Sequence, residues 1–469
     1  MRGLARYSVA MDTPSFQDID PSSGETITTL PIASAAEIDE AIARARAASE
    51  TWSRTPMRER LRMLESAVQG LEARAEELAS TVTQEMGKPI DSSRGEVRGW
   101  IKNLPEVIAE LKTALAPEPF GDEGDETLVV REALGVVAAI APWNFPIGMP
   151  LSILIPALGA GNAVVFKPSE LVPLAGRILF EVLDAVLPDG VLQIVQGPGE
   201  VGARLVEGDV DMIGFVGSRE VGRKIMAAAS SDLKRLVLEL GGKDPLLVFA
   251  DADLEAAAEC AVRHSLRNTG QVCCSVERVY VAREVAEDFE RLVLDKATEW
   301  KTQQPTEEGS KMGPMASLDQ LHKVTQQVDD AVTGGARLLM GGQALTEVGS
   351  WYPATVLADV DPDLAIARDE TFGPVVCLTT FDGSEEEAIR LANDTPYGLG
   401  ASLFTKNLSL GRRVAGQIKA GQVGVNRYLG GASGTPWVGA RQSGFGFLGG
   451  VEGHRQFTVP KTISIAGTN

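Results

Sequence analysis

From residue 135 onward the apolar positions come in short continuous runs, VVAAI (136–140), AVVF (163–166), LQIV (192–195), MIGFV (212–216) and LVLEL (236–240), with segments of helical spacing between them. Runs of this length read as strands buried on both faces of a parallel sheet, and their alternation with helices reads as βαβ units. Such a sheet presents ligands at the C-terminal ends of its strands. After Lys243 the alternation resumes with PLLVFAD, a helix capped by Asp253 and a strand over 278–281, which predicts a second α/β domain. Upstream, Ser34-Ala-Ala-Glu37 forms a capping box that opens an Ala-rich helix reaching about Trp52. Thr55-Pro56 starts a second helix, expected to run to Gly87, so the N-terminal part is expected to be helical. Residues 116–127, APEPFGDEGDET, are polar and rich in Pro and Gly, the composition of a linker or an arm. No repeat or low-complexity tract interrupts this pattern.

Residues 133–166 carry no charged side chain and raise the question of a membrane span. Pro142, Pro146, Pro150 and Pro156, with Asn144 and Asn162, break any continuous apolar helix there. The blander reading is two buried strands around a loop and a core helix. The N-terminal stretch MRGLARYSVAMD lacks the apolar core of a secretory signal.

Across its 469 residues the chain has 44 Lys plus Arg against 64 Asp plus Glu, a formal charge of −20. That field repels nucleic acid and anionic lipid, so neither is an expected partner, and an anionic ligand must be held by local groups. With no signal and only four cysteines, two of them adjacent, the chain suits a reducing, cytoplasmic setting and a thiol kept for chemistry or packing.

Two sites compete for a phosphate. Gly197, Gly199 and Gly202 spell Gly-x-Gly-x-x-Gly after a strand, but Pro198 falls where a phosphate needs a free N–H. The favoured candidate is Phe215-Val-Gly217-Ser218, which runs from a strand straight into a helix whose positive N-terminus can receive a pyrophosphate. Its bland alternative is an ordinary capped helix. Asn268-Thr-Gly270-Gln-Val-Cys273-Cys274 sets a cysteine in a polar, glycine-bearing turn, where a sulfur stays accessible. Glu239, followed by glycines at the end of an apolar strand, is a candidate general base whose pKa burial should raise; a structural ion pair is the alternative. The three histidines, His264, His322 and His454, have neither metal-ligand nor Cys-His spacing, so no metal site is expected.

Pro142-Trp143-Asn144-Phe-Pro146, Lys167-Pro-Ser169-Glu170, Phe215-Val-Gly217-Ser218, Glu239-Leu240-Gly-Gly-Lys243, Asn268-x-Gly-Gln-x-Cys273, Glu370-Thr-Phe372-Gly-Pro374 and Val425-Asn426 follow the order and spacing of the NAD(P)-dependent aldehyde dehydrogenase superfamily, which the chain resembles over nearly its whole length. The resemblance implies that Cys273 is the nucleophile, Glu239 the base and Asn144 an oxyanion donor. It implies a cofactor held by Trp143, Lys167, Ser169, Glu170, Gly217, Ser218, Leu240, Glu370 and Phe372, and a substrate bordered by Arg267 and Trp437. Glu170 resembles the carboxylate at the adenosine ribose, which favours NAD over NADP. The implied chemistry is a thiohemiacetal on Cys273, hydride transfer to nicotinamide, and hydrolysis of the thioester by a water that Glu239 deprotonates.

Departures bear on the substrate. The family's Pro-Phe-Gly-Gly segment reads Pro436-Trp437-Val438-Gly439, and Ile153 replaces a lysine that many members carry nine residues after the Asn. Arg267 resembles one of the two arginines with which succinate semialdehyde dehydrogenases hold a distal carboxylate; Ser152 stands where the second would be. The expected fold is a Rossmann-like cofactor domain (1–115 and 135–240), an α/β catalytic domain (241–443) and a small β arm (116–134 and 453–469) that joins subunits into a homodimer or homotetramer. A CoA-acylating enzyme is the alternative, disfavoured because such enzymes normally lack the carboxylate that Glu239 supplies; a catalytically silent homologue is a further one, disfavoured because all three catalytic groups are present.

Overall fold

A computed structural model describes residues 14–121 and 125–466. The N-terminal dodecapeptide considered above, residues 122–124 of the expected arm and residues 467–469 of the tail lie outside these residues. Three sheets organise the chain. A six-stranded sheet has, from one edge to the other, the strands Gly444–Phe445, Arg235–Glu239, Met212–Val216, Val136–Ile140, Ala163–Lys167 and Leu192–Ile194, parallel except for the first. A seven-stranded sheet centres on Asp244–Val248 and Val276–Ala282. An antiparallel three-stranded sheet joins Glu118–Phe120, Asp125–Ala133 and Thr458–Ala466.

The continuous apolar runs are the buried strands of the first sheet: Val136–Ile140, Ala163–Lys167 and Met212–Val216 are buried along their whole length. The uncharged stretch resolves as expected into two of these strands around the helix Gly148–Gly159. Among the described residues no helix is long and apolar enough to cross a membrane. The capping box at Ser34 is present, with the Ser34 hydroxyl accepting from the Glu37 N–H and the Glu37 carboxylate accepting from the Ser34 N–H.

Two expectations need correction. A hairpin, Ser15–Ile19 paired with Thr26–Pro31, precedes the first helix, so the N-terminal part is not wholly helical. The long helix after Pro56 is two, Met57–Ala73 and Ala75–Met86, because Arg74 leaves the helical region at φ −112°, ψ 15° while its guanidinium pairs with Glu77 and Glu181. Gly87 closes the second in the left-handed conformation, as its sequence position suggested.

The polar 116–134 segment and the tail do form one sheet, and a single residue ties it to the cofactor-side sheet. Asn162 is fully buried; its side-chain oxygen accepts from the N–H of Leu134 (2.7 Å) and Gly135 (3.0 Å), and its amide donates to the carbonyls of Ala157 (3.0 Å) and Phe457 (2.9 Å). Asn162→Ala strands three of these backbone groups in the interior, the Ala157 carbonyl keeping the Asn162 backbone N–H at 3.1 Å, and we expect a loss of about 2–4 kcal/mol in chemical denaturation, with Asn162→Asp intermediate because it keeps the two accepting bonds.

Candidate active site

The two large sheets meet through the segment Glu239-Leu240-Gly241-Gly242-Lys243. Glu239 ends the strand Arg235–Glu239 of one sheet, and Asp244 begins the strand Asp244–Val248 of the other. The glycines between them are there for contact. A Cβ on Gly241 would lie 2.4 Å from a carboxyl oxygen of Glu370, and one on Gly242 would lie 2.4 Å from the Cys273 carbonyl. On the far side, a Cβ on Gly270 would lie 1.9 Å from the Gly373 carbonyl, and Gly270 has φ +71°.

Cys273 follows the short turn Arg267–Gly270, in which Asn268 and Thr269 are both left-handed (φ 54° and 56°). Side chains hold this unfavourable backbone: Asn268 donates to the carbonyls of Asn144 (3.1 Å) and Gln271 (3.2 Å), Gln271 donates back to the Asn268 carbonyl (3.1 Å), and Thr269 donates to Gly313 (3.1 Å). The Asn144 amide donates one N–H to the Gln271 carbonyl at 3.1 Å, which fixes its group against the cysteine loop. Cys273 is partly exposed, whereas Cys274, Cys260 and Cys377 are buried. It borders an apolar wall that includes Phe145, Val272, Leu429 and Trp437, which puts Trp437 beside the reactive loop.

Glu239 is 4% exposed and neither of its oxygens has a hydrogen-bond partner among the described residues. Burial pushes its pKa well above the carboxylate range, and the nearby Leu448 N–H offsets little of it. The ion-pair alternative for Glu239 is not what the structure contains. The turn carrying Glu370 and Phe372 is held from below by a buried pair. Lys243 donates to Glu277 at 2.6 Å and to the Thr371 hydroxyl at 2.9 Å, and the Glu277 carboxylate accepts the N–H groups of Thr371 (2.8 Å) and Phe372 (2.9 Å). Gln320 caps the same turn through the carbonyls of Thr371 and Phe372. Burial, then Glu277, pushes Glu370 up to about 8. Phe372, at φ +56°, meets Trp143 edge-on at 5.4 Å.

The remaining predicted positions lie at the C-terminal ends of the strands Ala163–Lys167 and Met212–Val216. Lys167 ends the strand Ala163–Lys167, almost wholly buried, with its ammonium on the Pro168 carbonyl (3.1 Å) and the Glu170 carboxylate (3.4 Å). Ser169 also reaches Glu170, at 3.5 Å. Burial lowers the pKa of Lys167. Gly217 leads into the helix Arg219–Ala229, capped by the Ser218 hydroxyl; a Cβ on Gly222 would lie 2.5 Å from Leu240, so glycine lets that helix close on the strand end. Gly202, from the competing glycine string, packs on the Lys167 stem instead, within the helix Gly199–Glu207. A buried cation, a carboxylate and a helix N-terminus at these strand ends could hold a dinucleotide, with phosphates at the helix end and sugar hydroxyls at the carboxylates.

Sequence reasoning missed Glu277, Gln320 and Arg219. Glu277 had a signal, a carboxylate inside the otherwise buried strand Val276–Ala282. Arg219 stacks 4.9 Å from the Tyr397 ring, so the helix Arg219–Ala229 beside the six-stranded sheet touches the segment leading into the strand Gly400–Phe404 of the seven-stranded sheet. Ile153 is fully buried against Gly214 of the sheet, and the Ser152 hydroxyl bonds its own helix at Met149.

Residues 9–463 match the aldehyde dehydrogenase family. The chain belongs to that family. Among solved structures, it is similar to a P. syringae indole-3-acetaldehyde dehydrogenase in complex with NAD+ and IAA (37% identity, TM-score 0.93, 98% of this chain and 95% of that one). It is likewise similar to the Escherichia coli lactaldehyde dehydrogenase (33%, TM-score 0.93, 99% and 97%). The betaine aldehyde dehydrogenase of Staphylococcus aureus, in complex with NAD+, is 30% identical (TM-score 0.92, 97% and 95%). This aldehyde dehydrogenase thus combines the family architecture with its own residues at 152, 153 and 437.

Proposed function

We propose that this aldehyde dehydrogenase oxidises its substrate with NAD, through a thiohemiacetal and then a thioester on Cys273. The observation that carries the reading is the partly exposed Cys273, held by a strained loop beside the Asn144 amide. Adding the sulfur to a carbonyl turns the carbonyl oxygen into an anion. The second N–H of Asn144 and the Cys273 backbone N–H are the donors for it. Trp143, Phe372 and Glu370 would hold the nicotinamide end of the cofactor, Gly217, Ser218 and Leu240 its phosphates, and Lys167, Ser169 and Glu170 its adenosine ribose. When bound, NAD supplies the hydride acceptor. The Glu170 carboxylate, facing a ribose, repels a 2′-phosphate and so favours NAD over NADP.

Glu239 would then take a proton from the water that hydrolyses the thioester. Because its pKa is raised, its basic form grows only as pH climbs above the usual carboxylate range, so hydrolysis slows as pH falls. A carboxylate kept free for water also favours release of the acid over transfer to CoA, and absence of CoA consumption is the matching result.

Arg267 supports a narrower reading, a small aldehyde with a distal carboxylate, as in succinic semialdehyde. Among the described residues its guanidinium has no carboxylate partner, and its buried Nε has no acceptor. An unpaired, partly buried cation beside the reactive loop is a ready site for an anionic group. Exposed Leu233 and Phe445 flank a cavity of about 840 Å³ together with Met226, Arg455 and Pro460, next to the three-stranded arm, which supports assembly with a second copy.

Glu239→Gln should keep one burst of NADH per site while steady turnover falls about 100-fold or more, read by stopped-flow absorbance. Arg267→Ala should raise KM for succinic semialdehyde about tenfold or more and leave propanal little changed; equal effects on both would sink the carboxylate reading. Light scattering should give a mass at least twice that of one chain.

A further inference from the structure

Three residues after Asn144 the chain reaches Ile147, the cap position of the helix Gly148–Gly159, and Ile147 has no side-chain group to cap with. The first free N–H groups of a helix need acceptors when they are buried. Here one side chain from elsewhere supplies them. Glu96, in the helix Ile90–Ala114, accepts with a single carboxylate oxygen from the N–H of Ile147 at 2.9 Å and of Gly148 at 2.8 Å. Its other oxygen holds the Lys88 ammonium, and the side chains of this pair are only 1% and 7% exposed. The same ammonium lies 4.2 Å from the centre of the Phe145 ring. Trp100, one turn beyond Glu96, closes on the same point: a Cβ on Gly148 would lie 3.0 Å from its indole nitrogen and 3.6 Å from the accepting Glu96 oxygen.

The turn 144–148 is thus gripped from two directions. On the side of the cysteine loop, the Asn144 carbonyl accepts from Asn268 and the Asn144 amide donates to the Gln271 carbonyl, both at 3.1 Å. On the other side Glu96 holds the backbone and Lys88 holds the ring of Phe145, which belongs to the wall that Cys273 borders. Among the described residues the hydrogen bonds of Lys88 and Glu96 go to each other and to this turn alone. Stability does not account for such a pair, because apolar side chains of the same volume would serve as well or better. An apolar filling would lack an acceptor for two N–H groups and a cation for the ring.

We propose that Glu96 and Lys88 are positioning residues for the oxyanion: they fix the turn so that the second N–H of the Asn144 amide meets the oxygen of the Cys273 adduct. This rests on the reading of Asn144 as a donor to that oxygen. As the Cys273 sulfur bonds to the carbonyl carbon, the π pair moves onto the oxygen, and the Asn144 hydrogen bond strengthens with the growing charge. A donor already in place gives its full effect at that moment. A turn that has shifted slows the addition and leaves the sulfur itself unchanged.

The test is the burst of NADH with NAD and saturating propanal, read beside the rate of Cys273 alkylation by iodoacetamide. Alkylation displaces iodide at a saturated carbon and builds no oxyanion, so it reports the sulfur alone. The double variant Lys88→Met with Glu96→Leu leaves no charge unpaired but gives Ile147 and Gly148 no acceptor. Its burst rate should fall about tenfold or more while alkylation stays at the native rate. Glu96→Ala gives a second measure of the same loss, and Glu96→Gln, which keeps an accepting oxygen, should recover most of the burst. Combining the double variant with Asn144→Ala should slow the burst no further than Asn144→Ala alone, since the pair acts through that amide. NADH binding followed by fluorescence shows that each variant is folded. The proposal is overturned by an undiminished burst in the double variant and Glu96→Ala, by burst and alkylation falling together, by Glu96→Gln being as slow as Glu96→Ala, or by a further loss on the Asn144→Ala background. A burst that survives in Asn144→Ala would remove the underlying reading, whereas a burst lost there and kept in the double variant would remove only the roles of Lys88 and Glu96.

Discussion

Three segments of the chain press together around glycines: Gly241 lies on the Glu370 carboxyl, Gly242 on the Cys273 carbonyl, and Gly270 on the Gly373 carbonyl. None of these positions tolerates a Cβ without displacing backbone or a carboxylate. The constraint fixes the separation of the two sheets, because Glu239 ends a strand of one and Asp244 begins a strand of the other. It also makes the reactive loop and the Glu370 turn one body. The buried Lys243–Glu277 pair supports that body from beneath, with Glu277 fully engaged by Lys243 and two backbone N–H groups. A pair of this kind adds little net stability over an apolar filling but resists rearrangement, since breaking it leaves a charge in the interior. Its use here is positional.

Much of this was legible in the sequence where local rules decide the outcome. The continuous apolar runs became buried strands, the Ser34 capping box formed, and the glycine-bearing turn kept Cys273 partly exposed. The motif order pointed to Glu239, which the structure leaves buried without a hydrogen-bond partner among the described residues, and to Asn144, whose amide does reach the cysteine loop. What stayed hidden depends on partners distant in the chain. Arg74 breaks a helix that its neighbours favour, because Glu77 and Glu181 reward the break; only the first of those is near in sequence. Glu277 reads as an intruder in an apolar strand until the turn at Thr371 comes to meet it. The 15–31 hairpin has little periodic signal, and its strands are held by pairing with one another and by a contact to residues near 350.

A chain with a net charge of −20 offers its anionic ligands a small set of local positive features, and these are unequal. Lys167 is committed to Glu170 and to a carbonyl; the helix Arg219–Ala229 offers its first turn; Arg267 reaches the Tyr428 hydroxyl but has no carboxylate partner among the described residues. Lys167 is buried and Arg267 partly so, where a field is screened far less than on the surface, while the helix's first turn is largely exposed. The overall charge therefore governs what the molecule avoids, and these three features govern what it can accept.

Tyr428 has the widest reach of any side chain near the reactive loop. Its ring carries Arg267 on one face, and its hydroxyl grips the carbonyl and sulfur of Cys274. The Arg267 guanidinium and the Cys274 thiol thus both lean on a single aromatic ring. A substitution of this ring would disturb both contacts at once, whereas changes at walls such as Trp437 or Phe145, which border the loop without a hydrogen bond to it, would leave its backbone supports in place.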